Sequence, residues 1–309
     1  MKKLSDITFG ELAAAYEAAA GMEWIASSSP APSTVRNNIE SLAHVLPAAG
    51  LTPDAPVSAL DRKRLEECVL TLERGGIRPV SIRSAMQHLN ALFAPWTRPY
   101  YSKVLHLGAI PQKVFDTPRV RVPPQRYSPP RQETLSAVKE WYAGLSRRAT
   151  DGGDGAGRYL AATFMLEFAV RNGDVLRLKW DNIRNDGQRA FLRYTPNKTA
   201  LSSGRVVCWP IHSDILKVLD CVRRESRSEL IVPDGARHLD FIRREMRRIG
   251  FCGTKSAYEL RKICIHHVYL KFGAEMATSI SGDDIRTILK YYADPSAPNI
   301  GDMRVIDLF

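Results

Sequence analysis

An arginine and an aspartate follow a strongly apolar segment in the middle of the chain. The run YLAATFMLEFAV has the composition of a buried helix, and Arg171 and Asp174 come directly after it. Burying a guanidinium costs several kcal/mol unless hydrogen bonds and an opposite charge offset the lost hydration. The position therefore raises the question of what Arg171 holds. A plain ion pair with Asp174 that ends a helix is one answer, and a bound anion is the other.

Three further side chains form a chemical set with Arg171, namely Lys198, Arg261 and Tyr292. Two guanidiniums can bracket the non-bridging oxygens of one phosphodiester and stabilise a pentacoordinate transition state. A lysine can protonate a departing 5′-oxygen, and a tyrosine can attack phosphorus to form a phosphotyrosyl ester. This chemistry requires no metal and no other cofactor, so we expect neither. Each residue alone is better explained as a turn, surface or core residue. Only the order and spacing of the four residues favour a common role in phosphodiester chemistry.

The chain is strongly basic. It has 309 residues, with 44 Lys and Arg against 33 Asp and Glu, and a formal net charge of +11. An excess of this size favours a polyanionic partner, either nucleic acid or an anionic membrane surface. A basic enzyme without such a partner is the alternative.

The sequence also argues against a membrane or secreted protein. No apolar stretch reaches the roughly 18 residues that span a bilayer. Asp6, Glu11 and Glu17 interrupt the N-terminal segment, which favours an amphipathic helix over a signal peptide. The five cysteines are widely spaced without a CxxC pair, which indicates reduced thiols rather than disulfides or structural zinc. We therefore expect a cytoplasmic protein with no membrane partner.

The length suits two domains, and the composition changes between them. The segment GAIPQKVFDTPRVRVPPQRYSPPRQE contains six prolines, and seven basic residues against one acidic lie between Arg98 and Arg131. Because proline blocks helix formation, we interpret residues 111–131 as an extended basic linker that could also lie along a phosphate backbone. Residues 1–110 are then an N-terminal domain, and residues 132–309 are a C-terminal domain with a short tail.

Periodicity predicts the elements of both domains. Before the linker, segments such as STVRNNIESLAHVLPAAG and SIRSAMQHLNALFAPW place apolar residues on one helical face. After the linker, helical patterns flank two short β-branched and aromatic segments, RAFLRYTP and GRVVCWPIH. These predict a β-hairpin with Lys198 in its long turn. The fold class that we predict is mostly α with a small β-hairpin or sheet insertion.

Four segments, in this order along the chain, resemble motifs of the tyrosine recombinases, the family of the phage integrases. FAVRNGDVLRLKWDNI resembles their first-arginine motif, and TPNKTALSSGRVVCWPI resembles the hairpin that carries a lysine. YELRKICIHHVYLKFG resembles the helix with the H-x-x-R motif, and ISGDDIRTILKYYAD resembles the segment with the nucleophile. The resemblance covers the whole chain and implies a helical core-binding domain followed by an α+β catalytic domain.

The resemblance assigns a role to each residue of the set. Arg171 and Arg261 would bind the phosphate, Lys198 would be the general acid, and Tyr292 would be the nucleophile. Tyr292 is preferred to its neighbour Tyr291 because it follows the family's glycine by ten residues and because Tyr291 falls on an apolar helix position.

Two supporting residues follow from the same motifs. Asp174 would orient Arg171 and offset the cost of its burial. The resemblance therefore implies that Arg171 binds a phosphate. His267 matches a histidine that is largely structural in the family.

Two catalytic positions depart from the family motifs. Tyr258 stands where the histidine of H-x-x-R is expected, and Asp283 stands where a second histidine or a tryptophan normally donates to the phosphate. A tyrosine hydroxyl can donate a hydrogen bond, but a phenol is a poor base at neutral pH. An aspartate beside a phosphate would repel it unless the carboxyl is protonated or turned away.

The resemblance also implies the partners and the reaction. Double-stranded DNA would be bound by a dimer at each site and by a tetramer in synapsis, and the protein would associate with the nucleoid when bound. The residues that we expect to contact DNA are Arg83, Arg119, Arg121, Arg126, Arg243 and Arg247. The implied function is site-specific recombination or integration through a 3′-phosphotyrosyl intermediate, without metal or ATP. A weakened or inactive DNA-binding relative and a type IB topoisomerase-like enzyme are the alternatives.

Overall fold

The structure is a computed structural model, and it describes residues 1–22, 30–123, 127–149, 153–200, 204–253 and 255–291. The chain divides into two compact units, Met1–Pro124 and Gln125–Phe309. Two of the predicted functional residues, Arg126 and Tyr292, lie outside the described residues, as does the C-terminal tail.

The N-terminal unit is helical. Its helices are α1 (Phe9–Ala20), α2 (Pro32–Ala48), α3 (Arg62–Arg74), α4 (Pro79–Ala91) and α5 (Arg98–Val104). Helix α1 begins with a reciprocal cap, in which the Thr8 hydroxyl accepts from the Glu11 amide at 3.1 Å and the Glu11 carboxylate accepts from the Thr8 amide at 2.8 Å. The N-terminal segment is therefore a helix, and its acids serve the cap and the exposed face.

The boundary of this unit differs from the one predicted. Phe115 and Val120, which we placed in the linker, are buried in its core. The Phe115 ring lies 6.4 Å from the ring of Phe9 and 5.7 Å from that of Phe93. The first half of the proline-rich segment is therefore packed against helices rather than free. Its composition correctly predicted a segment without helix, but two apolar residues within it, Phe115 and Val120, pack into the core.

The C-terminal unit is also mostly helical. Its elements are α6 (Gln132–Arg148), α7 (Gly153–Leu166), α8 (Asn172–Val175), β1 (Ile183–Asn185), β2 (Ala190–Tyr194), α9 (Asn197–Ala200), β3 (Val207–Pro210), α10 (Ser213–Glu225), α11 (Gly235–Ile249), α12 (Tyr258–Ser281) and α13 (Ile285–Tyr291). Helix α7 is buried and, apart from Thr163, apolar from Tyr159 to Met165, and it packs against α6, α10, α11 and α12. A helix of that composition belongs at the centre of a domain.

The three strands form one antiparallel sheet in the order β1-β2-β3. Leu192 of β2 is paired with Ile183 on one side and with Trp209 on the other. The predicted hairpin is confirmed as β2 and β3, whereas β1 has only three residues, two of them polar, and gave no strand pattern. The fold class is as predicted, mostly α with a small sheet. Among the described residues, no helix combines the length and the apolar character needed to cross a membrane.

Two glycines with left-handed backbone shape the last part of the unit. Gly273 (φ 82°) interrupts α12, and Gly282 (φ 64°) ends it. A Cβ atom on Gly282 would lie 2.9 Å from Pro196 and 3.1 Å from Val207. Both the backbone conformation and the available space therefore require glycine at this position, directly before Asp283.

We expect Gly282→Ala to destabilise the protein by about 2 kcal/mol, because alanine is strained in the left-handed region and its methyl group meets β3. The melting temperature should fall by roughly 4–8 °C, as measured by calorimetry on the full chain. Gly173→Ala is the matched control, since nothing lies within 4 Å of the added methyl group. Equal melting temperatures for the two variants would contradict the requirement for glycine at position 282.

Candidate active site

The turn after α7 prepares the position of Arg171. Ala169 adopts a left-handed conformation (φ 52°), and the amide of Val170 donates to the Phe164 carbonyl at 2.8 Å. This six-residue closure is a common way to end a helix, although glycine usually occupies the left-handed position. A non-glycine residue there costs on the order of 1 kcal/mol or more. The chain then reverses, and Arg171 becomes the N-terminal cap residue of α8.

Arg261 lies in the first turns of α12 with its side chain 0% exposed. One guanidinium nitrogen, Nη1, donates to the Ala169 carbonyl, and Nη2 donates to the Ser281 carbonyl at 3.1 Å and to Asp283 Oδ2 at 2.5 Å. The ring centroid of Tyr258 lies 6.0 Å from the guanidinium carbon. These bonds offset the lost hydration of the buried charge.

Asp283 joins the two arginines. Its Oδ1 accepts from Nη2 of Arg171 while its Oδ2 accepts from Arg261. The Asp283 amide donates to the Ser281 hydroxyl at 3.1 Å, and its carbonyl accepts from Nη1 of Arg205 at 3.1 Å. The carboxylate is therefore turned toward the arginines, with one oxygen on each guanidinium. This is the geometry that the two non-bridging oxygens of a phosphate would need.

Asp174 is near Arg171 but bonds elsewhere. Its Oδ2 is 3.8 Å from Nη1 of Arg171, which makes an ion pair without a hydrogen bond. Its Oδ1 accepts from the Asn197 amide at 3.0 Å. Because Asn197 begins α9, this bond fixes the short helix that carries Lys198. Asp174 thus connects the first-arginine segment to the hairpin turn, and the carboxylate bonded to Arg171 is that of Asp283.

A cleft of about 1090 Å³ opens beside these residues within the C-terminal unit. Four of the predicted catalytic residues line it, namely Arg171, Lys198, Tyr258 and Asp283. Its wall also carries the basic residues Arg131, Lys255 and Lys262, so five basic residues face two acidic ones, Glu259 and Asp283. Lys262 is paired with Glu259 at 2.7 Å. The excess of positive charge suits an anionic ligand.

The other predicted catalytic and supporting residues lie as follows. Helix α13 reaches Tyr291, and Tyr292 is the next residue, beyond the described part. His267 is exposed, with Nδ1 at 2.9 Å from the Ile263 carbonyl. Its neighbour His266 is buried, and the His266 ring lies 4.8 Å from that of Tyr127. By burial, His266 rather than His267 is the histidine that packs in this helix.

The predicted DNA-contacting residues are at the surface where the structure describes them. Arg119 and Arg121 are exposed on either side of the buried Val120, so the segment presents both to solvent. Arg83 is exposed on α4, and Arg247 is exposed on α11. Arg243, also on α11, is partly exposed and pairs with Asp240 at 2.7 Å.

The sequence did not single out three residues that contribute to the site. Arg205 and Ser281 bond to the backbone of Asp283, and Tyr194 of β2 is buried nearby. Burial raises the pKa of Tyr194, and the charge of Arg261 offsets part of that rise. Arg205 was visible as a basic residue before β3, but its partner is a backbone carbonyl 78 residues away. Such a contact leaves no pattern in the sequence.

We expect Arg261→Met to destabilise the protein by about 3–5 kcal/mol, because Asp283 and two carbonyls lose their buried donor. Urea denaturation of the full chain measures this change. Arg247→Met is the matched control on an exposed helix face and should change stability by less than about 0.5 kcal/mol. A small effect at position 261 would show that the buried guanidinium does not hold the site together.

Comparisons with known proteins give similarity in structure only. No family model matches the sequence, and no curated protein matches it. A lambda integrase dimer bound to a COC′ core site aligns with a TM-score of 0.63 and 15% identity, over 97% of this chain and 81% of that chain. A lambda integrase tetramer bound to a Holliday junction aligns with a TM-score of 0.62 and 16% identity, over 97% of this chain and 82% of that chain.

A second integrase gives the same result. The Tn1549 transposon integrase in complex with transposon right end DNA aligns with a TM-score of 0.57 and 14% identity, over 93% of this chain and 95% of that chain. The chain therefore has the fold of the tyrosine recombinases. The resemblance drawn from the four sequence motifs is confirmed at the level of the fold.

Proposed function

We propose that this chain is a site-specific DNA recombinase or integrase that cleaves and rejoins DNA through a 3′-phosphotyrosyl intermediate. The observation that carries the proposal is the pair Arg171 and Arg261. They come from distant segments of the chain and donate to the two oxygens of one carboxylate, that of Asp283. Arg171 and Asp283 line a basic cleft, and the fold is shared with DNA-bound integrases. A phosphodiester is the substrate that this charge and geometry would suit.

The reaction that we propose conserves the phosphodiester energy. The hydroxyl oxygen of Tyr292 gives up its proton to solvent water and attacks phosphorus, and the bond to the 5′-oxygen breaks. Lys198 gives a proton to that oxygen, which leaves as a 5′-hydroxyl, while Arg171 and Arg261 hold the non-bridging oxygens. The hydroxyl of Tyr258 is a further hydrogen-bond donor to the phosphate. A 5′-hydroxyl from another strand then attacks the tyrosyl ester and reverses the step, so neither ATP nor a metal ion is needed.

Duplex DNA is the partner that we propose, with a dimer at each site and a tetramer in synapsis. The support comes from the lambda integrase structures, which hold a dimer on a core site and a tetramer on a Holliday junction. The net charge of +11 and the exposed Arg119 and Arg121 are consistent with a phosphate backbone as ligand. The protein would work in the cytoplasm, associated with the nucleoid.

A second candidate function is DNA binding without cleavage on the same scaffold. One observation favours it. The carboxylate of Asp283 accepts hydrogen bonds from the guanidiniums of both Arg171 and Arg261, and Arg261 has no exposed surface. If that arrangement persists on DNA, the two arginines act as a structural unit and do not reach the phosphate.

We expect a covalent adduct with DNA that depends on Tyr292. Duplexes bound by Tyr292→Phe are first selected from a random library and then rebuilt as suicide substrates with nicks at successive positions. On denaturing electrophoresis the native chain should give a protein–DNA adduct, and Tyr292→Phe should give none. Tyr291→Phe is the matched control and should retain the adduct.

The other outcomes of that experiment identify the alternatives. Specific binding by the native chain without any adduct supports the non-catalytic candidate. An adduct that is lost in Tyr291→Phe and kept in Tyr292→Phe contradicts our assignment of the nucleophile. Relaxation of any supercoiled plasmid, without a selected site, indicates a topoisomerase-like enzyme.

The salt dependence of DNA binding tests the two arginines beside Val120. Each phosphate contact contributes about 0.9 to the slope of log K against log salt concentration, so Arg119→Gln/Arg121→Gln should reduce the slope by about 1.8. Fluorescence anisotropy over a series of KCl concentrations measures this slope. The control Lys217→Gln/Arg224→Gln removes the same charge from α10, and an equal reduction there would mean that net charge alone sets the slope.

A further inference from the structure

The guanidinium of Arg261 has no surface that a ligand could touch. Its side chain is 0% exposed, and its donors are directed at the carbonyls of Ala169 and Ser281 and at the carboxylate of Asp283. Only the last of these three acceptors is a side chain. Asp283 itself lines the basic cleft, whereas Arg261 does not. The carboxylate therefore stands between Arg261 and the space that a ligand would enter.

We propose that the carboxylate of Asp283 is an internal substitute for the substrate phosphate, and that a DNA phosphate must displace it to reach Arg171 and Arg261. The inference rests on the proposed function for the identity of the anion. In this view the structure is the resting form of the site. The two guanidiniums are held at the spacing that a phosphate needs, but they are occupied by a group of the protein's own chain.

The exchange balances in charge and in hydrogen bonds. In the resting form, each carboxylate oxygen accepts from one guanidinium. A phosphodiester also carries one negative charge and two non-bridging oxygens, and it can accept the same two bonds. The local contacts thus give little net preference for either anion. Binding energy from the rest of the DNA must favour the displaced form, so the site opens only on a ligand that makes many other contacts.

The contacts of Asp283 permit the side chain to leave. Its backbone is held independently of its carboxylate, by the Ser281 hydroxyl at the amide and by Arg205 at the carbonyl. Rotation about the Cα–Cβ bond would move the carboxylate into the cleft without moving the chain. The cleft wall offers Lys198, Lys255 and Arg131 as cationic neighbours for the displaced group.

The test uses inorganic phosphate and the full chain, at constant ionic strength maintained with chloride. Asp283→Asn keeps the shape of the side chain but removes its charge. Without phosphate, this variant should melt below the native chain because two guanidiniums have lost their anion. With increasing phosphate, its melting temperature should rise as ln(1 + c/Kd), where c is the phosphate concentration, and the fitted affinity should be at least about tenfold higher than that of the native chain. Asp284→Asn, at the exposed neighbouring aspartate, should behave like the native chain.

Two results would overturn the proposal. The first is an Asp283→Asn variant that responds to phosphate no more than Asp284→Asn does, since the carboxylate would then be a structural bridge only. The second applies even if Asp283→Asn does not fold: a structure of Tyr292→Phe bound to duplex DNA in which Asp283 still bridges Arg171 and Arg261. The expected structure has a phosphate between the arginines and the carboxylate rotated into the cleft.

The phosphate titration does not depend on DNA cleavage, so the two proposals can fail separately. A native chain that forms no DNA adduct, together with an Asp283→Asn variant that gains phosphate binding, removes the recombinase assignment and keeps the inference. A native chain that forms the adduct, together with an unresponsive variant, keeps the recombinase and removes the inference.

Discussion

The guanidinium of Arg261 is a full positive charge in the interior of the C-terminal unit, and the site is built around that constraint. A buried charge is tolerated only when its hydrogen bonds and its counterion are both supplied. Here the acceptors come from the turn after α7, at Ala169, and from the end of α12, at Ser281. The counterion, Asp283, follows directly after α12. Two segments of chain, the turn after α7 and the end of α12, are therefore positioned by one side chain, and Arg171 bonds to the other oxygen of the carboxylate.

A site with two neighbouring guanidiniums has an electrostatic difficulty when it is empty. Like charges at close range repel, and low surrounding polarity strengthens the repulsion. An anion between them removes the cost, whether it is a phosphate or a carboxylate. Asp283 supplies that anion within the chain, so the arginines can remain in place without a ligand. The consequence is a trade-off, because every contribution of the carboxylate to stability is also a contribution against binding of an external phosphate.

The sequence was sufficient for the fold and for much of the site. Apolar periodicity predicted the helices, and alternating aromatic and β-branched residues predicted β2 and β3. Arg171, whose side chain is 12% exposed, was detectable because it follows an apolar run. The resemblance placed Asp283 beside the phosphate, but its role as the counterion of Arg171, 112 residues away, was not detectable because nothing in the local sequence marks that pairing. Electrostatics alone argued that an aspartate near the phosphate should be protonated or turned away. That argument considered a carboxylate beside a phosphate and not a carboxylate in place of one.

The same residue separates the two candidate functions. If the carboxylate stays between the arginines when DNA is bound, Arg261 remains a structural residue. The charge of the surrounding surface would then support DNA binding without cleavage. If the carboxylate leaves, both guanidiniums face a phosphate at the spacing already set by the resting structure, and the departures at Tyr258 and Asp283 do not exclude catalysis. If the local exchange of anions is nearly balanced, as we propose, the outcome depends on other contacts with DNA, such as those proposed for Arg119 and Arg121. A strongly basic chain has the means to supply that energy over an extended duplex, and a small free anion does not. Coupling the opening of the proposed phosphate site to extensive DNA contact would keep the proposed nucleophile, Tyr292, from reacting with isolated phosphate esters.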